Sequence, residues 1–237
     1  MLSLENQFLI AMPSLGDDYF NKTVTYICEH NDEGAMGLII NMPVNITLHD
    51  LLKQIEENDQ EEGAKGETLQ QKSSLELENS LELENSLEPE SASEPAGPAN
   101  VENVLLDHSL GHNLDHSLEQ LVLSGGPISQ NRGFVLHRTQ SGWKSSLALS
   151  EDIMITTSKD ILMALGTEKA PEQYMVTLGY AGWGPGQLES ELQANSWLTI
   201  DADSDILFNT PIEQRWQKAT EKLGIDIAHL SSDVGHA

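Results

Sequence analysis

The strongest constraint on this chain is an acidic, repetitive stretch in its middle. Residues 56–103 hold fourteen acids, two lysines and none of the twelve aromatic residues. Ser74–Asn79 reads SLELEN, Ser80–Asn85 repeats it, Ser86–Ser91 reads SLEPES, and ASEPAGPAN follows. So little apolar surface does not offset the entropy lost when a backbone is ordered. The Leu-Glu alternation has a strand's period, but glutamates stacked on one face repel each other. A second near-repeat follows, LDHSL at Leu106–Leu110 and again at Leu114–Leu118. We therefore expect residues 56–113 to be a disordered acidic insert, with residues 1–55 and 114–237 forming one domain around it. Such a loop is tolerated because closure entropy grows only with the logarithm of its length.

Charge narrows the range of partners. The 237 residues carry a formal charge of −26. A field of that sign repels phosphate backbones and anionic lipid, so neither nucleic acid nor a membrane is an expected partner. The single cysteine cannot form an internal disulfide, which fits a reducing compartment. No apolar run approaches a membrane span, and MLSLENQFLIAMP lacks the basic start of a secretion signal. The expectation is a cytoplasmic protein.

Strand signals dominate the rest. Gln7–Met12, Lys22–His30 and Gly34–Asn41 read as strands, the last two joined by NDEG as a hairpin. Pro43 is read as ending the third. Thr47 and Asp50 have capping-box spacing ahead of Leu48, Leu51, Leu52 and Ile55, one face of a helix. Gln120–Leu123, Gly133–His137, Trp143–Ser150, Asp152–Thr157 and Tyr174–Tyr180 are further strands. A helix is expected from Thr157 to Leu165, capped by Thr157 with Asp160. Another spans Gln187–Ala194. Ser196–Ile200 and Asp205–Phe208 read as extended. The last helix has Thr210 as N-cap, Pro211 first and Glu213 third, with Ile212, Trp216, Ala219 and Leu223 as its stripe. Hairpin-like runs without strict βαβ alternation predict an α+β fold: a large mixed, mostly antiparallel sheet with a few packed helices.

Taken in order, FLIAMP, VTYICEHN, GAMGLIIN, SGGP, RGFVLH, TTSKDIL, LGYAGWGPGQLESEL, NSWL, ILFNTPIEQRW and GHA resemble the bacterial YqgE/AlgH family. The resemblance covers Gln7–Ile55 and Leu118–Ala237. The long acidic insert departs from it, since the family usually has a much shorter connection. It implies a compact α+β domain with no settled catalytic activity and the label of transcriptional regulator. The sequence lends that label little support, having neither a basic recognition helix nor zinc-finger spacing.

Several residue groups are candidates for chemistry. Cys28 and His30 alternate on a strand with Tyr26, so they share a face and resemble a Cys–His pair. The competing reading is a buried thiol and a turn histidine. Ser124, Gly125 and Gly126 follow a strand and have the form of an anion-binding nest, or of a tight turn. His137 ends a strand that a hairpin would bring to that turn, with Arg132 and Arg138 flanking it as partners for an anionic ligand or for the protein's own acids. Thr156, Thr157, Ser158 and Asp160 form a hydroxyl–acid group that helix capping also explains. Trp183 sits in a glycine-rich segment, either as an exposed anchor for a partner or as a lid on the core. His108, His112 and His116 fall at helical spacing inside the repeats, which is read as a product of repetition. No metal set and no cofactor motif is read. The leading expectation is a regulatory or protein-binding domain. The alternative is an enzyme or small-anion sensor near the Gly-Gly-Pro turn and His137. Oligomeric state is left open.

Overall fold

The computed structural model describes residues 3–12, 19–57 and 118–224. The expected insert lies outside these residues except at its first two positions, as do His108, His112 and His116. By backbone contacts the chain divides into residues 1–52 with 114–237 and residues 53–113.

The strands are β1 (Gln7–Ala11), β2 (Val24–Asn31), β3 (Gly34–Ile39), β4 (Pro43–Thr47), β5 (Leu121–Ser124), β6 (Ile128–Arg138), β7 (Ser146–Ala148), β8 (Ile153–Thr156), β9 (Tyr174–Trp183) and β10 (Trp197–Asp201). Helix α1 covers residues 48–57. Then come α2 (Lys159–Ala164), α3 (Gln187–Gln193), α4 (Ser204–Phe208) and α5 (Arg215–Lys222). The fold is α+β. The main path of the sheet runs β10-β1-β2-β3-β9-β6-β8-β7, with β5 pairing both β4 and β9. Among these ladders only β5–β9 is parallel, so the sheet is mixed and mostly antiparallel.

Alternation along β1 shows how the sheet divides its apolar residues. Phe8 and Ile10 enter one buried cluster with Tyr26, Leu38, Leu136 and Trp216. Leu9 and Ala11 enter another with Ile27, Trp183 and Trp197. Side chains of successive strand residues point to opposite faces, so the sheet has a core on each side.

The hairpin of β2 and β3 forms as expected. The capping box does too: the Thr47 amide donates to Asp50 at 3.0 Å and the Asp50 amide donates to Thr47 Oγ1 at 3.2 Å. Four readings are corrected. Pro43 does not end the third strand, which stops at Ile39, but begins β4, pairing with Leu123. Asp205–Phe208 lies within helix α4, because Asp203 caps it by accepting the Asp205 amide at 2.9 Å. Thr157 does not cap α2; its amide donates to the Ser145 carbonyl and Ser158 is the N-cap. Thr210 does not cap the last helix: a 3₁₀ turn at Ile212–Gln214 precedes α5, and Thr210 Oγ1 donates to the Asp205 carbonyl.

Candidate functional site

One sequence candidate pair is separated by a β-bulge. Ile27 pairs with Gly37 but Glu29 pairs with Met36, leaving Cys28 unpaired in the ladder. An extra residue reverses the facing of everything after it. Cys28 therefore stays with Tyr26 in the first core, while His30 pairs with Ala35 on the side of Trp183. Burial, with Glu29 nearby, pushes the Cys28 thiol far up, so it stays protonated. It behaves as a small apolar residue. His30 Nδ1 accepts the Leu4 amide at 3.0 Å, so Nε2 carries the hydrogen and donates to Glu189 at 2.8 Å. The ring ties the N-terminal segment to α3.

The Ser-Gly-Gly turn is a close crossing. The Gly125 amide donates to the Leu178 carbonyl, which removes it as an anion donor. Gly126 has φ +153°, and a Cβ there would lie 2.1 Å from the Tyr180 carbonyl carbon. Glycine is needed because β9 passes so near. Ser124 Oγ pairs with Tyr19 at 2.9 Å.

His137 does not meet this turn. The turn leads into Ile128, which pairs with Tyr180, while His137 pairs with Tyr174 further along β9, roughly 20 Å away at ~3.3 Å per residue. Arg132 and Arg138 are likewise apart. Arg132 is exposed over the Phe134 ring. Arg138 donates to Gln173 at 3.0 Å and Ser204 at 3.1 Å and lies 3.4 Å from Asp152. It serves the protein's own groups. Trp183 is 7 % exposed, in strand β9 rather than a flexible loop. Its indole N–H donates to Glu191 Oε2 at 2.9 Å, and that of Trp197 donates to the same oxygen at 2.7 Å. That carboxylate clamp joins α3 to two strands and leaves Trp183 no role as an exposed anchor.

What the structure does bring together is His137 and Thr156. The strand order β6-β8-β7 sets Val135 beside Thr156 and Thr156 beside Ser146, so His137, Thr156 and Ser146 share one face. His137 Nδ1 lies 2.8 Å from the Arg138 carbonyl. A carbonyl only accepts, so Nδ1 bears the hydrogen and Nε2 of the neutral ring accepts. Thr156 Oγ1, 2.8 Å from Nε2, donates to it. Thr156 Oγ1, its own hydrogen given to His137, accepts from Ser146 Oγ at 2.7 Å, a shorter contact than those of the Ser146 hydroxyl to the Trp143 and Lys144 carbonyls at 3.3 and 3.5 Å. His137 and Thr156 are fully buried, and Ser146 is half-buried. Burial lowers the His137 pKa, against a smaller opposing effect of its bond to the Arg138 carbonyl.

Beside this chain lies an open cleft. Trp143, Asp160, Met163, Thr167 and Lys169 are among its lining residues, and its volume is about 610 Å³. Met163 is 45 % exposed. The Trp143 indole nitrogen is buried without a hydrogen-bond partner. Asp160 is held below the usual carboxylate range by Ser158, whose hydroxyl donates to it, and by the Lys144 amide at 2.9 Å. It latches the segment before β7 onto α2. Among the described residues no group of three His, Cys, Asp or Glu is placed to hold a metal ion, and no helix is long and apolar enough to cross a membrane.

Sequence reasoning singled out His137 and Thr156 separately but did not join them, and it missed Ser146, Glu189 and Glu191. The strand readings of Trp143–Ser150 and Asp152–Thr157 marked β7 and β8; nothing local marked β6 as the other neighbour of β8.

Residues 8–228 match the family model described as AlgH-like. A UPF0301 protein of Colwellia psychrerythraea is 64% identical over 237 residues, covering 100% of both chains. One from Vibrio cholerae is 44% identical over 236 residues, also covering 100% of both. The solution structure of the AlgH protein from Pseudomonas aeruginosa matches with TM-score 0.63 and 34% identity, over 100% of this chain and 99% of that one. A Corynebacterium diphtheriae protein of 13% identity shares the fold, with TM-score 0.59 over 98% of this chain and 93% of that one.

Proposed function

The chain belongs to the AlgH-like family, and on that premise we propose that its folded domain is a regulatory, protein-binding module that takes an extended partner segment on the edge of β7. The observation behind this reading is the hydrogen-bond phase of that strand. Thr157 donates to the Ser145 carbonyl and Leu149 donates to the Ile153 carbonyl. In an antiparallel ladder the bonded pairs alternate, so Leu147 bonds to Ile155, and Ser146 and Ala148 turn their N–H and C=O outward. β7 ends the strand order, and Leu147 and Ala148 are exposed, Leu147 at 59 %. An added strand takes its affinity from main-chain bonds and its specificity from alternate side chains. Here one set of those side chains meets Leu147 and the other meets the Trp143–Met163 cleft on the opposite face.

The test is capture of partners from a lysate of the native host by the whole chain and by its Ala148→Pro variant. Proline at 148 deletes an outward amide and no bond to β8. A protein retained by the parent and lost by the variant, with the variant's melting unchanged, supports the reading. A partner held equally by both overturns it.

A further inference from the structure

We propose that Ser146 is a reactive hydroxyl that accepts the acyl group of a carboxylic ester, with Thr156 and His137 carrying away its proton. This goes beyond the protein-binding reading and places the acyl group in the same cleft.

The donor accounting gives the chain a direction. His137 Nδ1–H is committed to the Arg138 carbonyl, Nε2 takes the Thr156 hydrogen, and Thr156 Oγ1 takes the Ser146 hydrogen. The path runs from the half-buried hydroxyl inward to a buried base. A histidine that accepts a nucleophile's proton while its other nitrogen is held by an acceptor is the arrangement that activates serine in hydrolases. Here one hydroxyl stands between the two.

Two further observations separate Ser146 from a hydroxyl that merely satisfies its neighbours. Ser145, the residue before it, has φ +48°. It is one of five non-glycine residues with positive φ among those described and lies in the turn before β7; strained backbone is common near reactive positions. Second, the segment just before Ser146 borders the cleft: Trp143 lines it with Met163, and the Trp143 carbonyl is a weaker, competing acceptor for the Ser146 hydroxyl at 3.3 Å. Trp143, Met163 and Ala164 offer an acyl group an apolar wall, beside Asp160, Thr167, Glu168 and Lys169.

The step balances without a co-reactant. The Ser146 Oγ–acyl carbon bond forms while the serine proton passes to Thr156 and the Thr156 proton to His137 Nε2. The ester C–O bond breaks, and the leaving alkoxide takes a proton from solvent water at the half-buried Ser146. The hydroxide so formed then cleaves the acyl–serine, releasing a carboxylic acid, and the Ser146 alkoxide takes back the proton held on His137 through Thr156. Ser146 is the nucleophile, Thr156 relays its proton and His137 is the base that holds it.

The probe is an alkyl fluorophosphonate, which forms an O–P bond with loss of fluoride. The full chain is treated with it alongside Ser146→Ala, Thr156→Val and Thr156→Ser, and the adduct is located by peptide mass. The expected result is one adduct on Ser146, none on Ser146→Ala, and labelling about 100-fold slower in Thr156→Val, the lower range of a general-base contribution. Thr156→Ser keeps most of the rate, because it restores the relay hydroxyl. Cooperative melting of each variant above the labelling temperature shows that the comparison is among folded proteins. An unlabelled parent, an adduct elsewhere, or equal rates in Thr156→Val and the parent overturns the proposal.

Discussion

His137 and Thr156 face each other across two strands, Nε2 to Oγ1 at 2.8 Å, with no solvent reaching either residue. A buried acceptor that loses its donor keeps its desolvation cost and recovers nothing. Thr156→Val preserves shape and removes the hydroxyl. We expect it to lower unfolding free energy by about 1–3 kcal/mol. Urea titration measures this, and a change within error of zero would show that Nε2 has another donor.

The same burial predicts a pH response. The His137 pKa is lowered in the folded protein from its ordinary 6.5, so the unfolded chain binds the proton more readily. The stability this histidine contributes is full above pH about 6.5 and declines as pH falls below it toward the lowered folded value, with a slope no steeper than about 1.4 kcal/mol per pH unit. Urea midpoints of the parent and His137→Gln between pH 7.5 and 5.5 test this. Parallel pH profiles would sink the assignment.

Glu191 receives two indole N–H groups on one oxygen, joining α3 to β9 and β10. Its replacement by Ala strands both donors in a largely buried aromatic cluster. Bonds to a charged acceptor are worth about 1.5–3 kcal/mol each and are not additive, so a loss of at least about 2 kcal/mol is expected. Tryptophan fluorescence follows the unfolding and reports the altered indoles directly.

Cys28 is predicted to be inert. Its burial and its protonated thiol remove both requirements for nucleophilicity, thiolate character and access. A disulfide reagent should modify the native protein far more slowly than the urea-unfolded chain. Equal rates in the two states would restore it as a reactive residue.

Local chemistry made part of this molecule legible. The NDEG turn between two β-branched runs predicted the β2–β3 hairpin, the Thr47–Asp50 spacing predicted a helix start, and the ordered motifs predicted the family. These depend on neighbours a few residues away, whose geometry the backbone sets. The family motif around LESEL was visible too, though not its use as a clamp on Trp183 and Trp197.

What failed to show in the sequence depended on register. Two-residue alternation placed Cys28 and His30 together, but the bulge at Cys28 turns His30 to the other face. A single unpaired residue has that effect because side-chain facing has a period of two. The Ser146–Thr156–His137 chain comes from strand order, since β7 and β8 form a local hairpin but β8 pairs with β6 only through the folded sheet. Composition and spacing by themselves determined most of the strands and helices, though not β4 or the helical turn at Asp205–Phe208. Only the tertiary structure decided which strands adjoin and which way each residue points, because pairing between distant segments is set by the packing of the whole sheet.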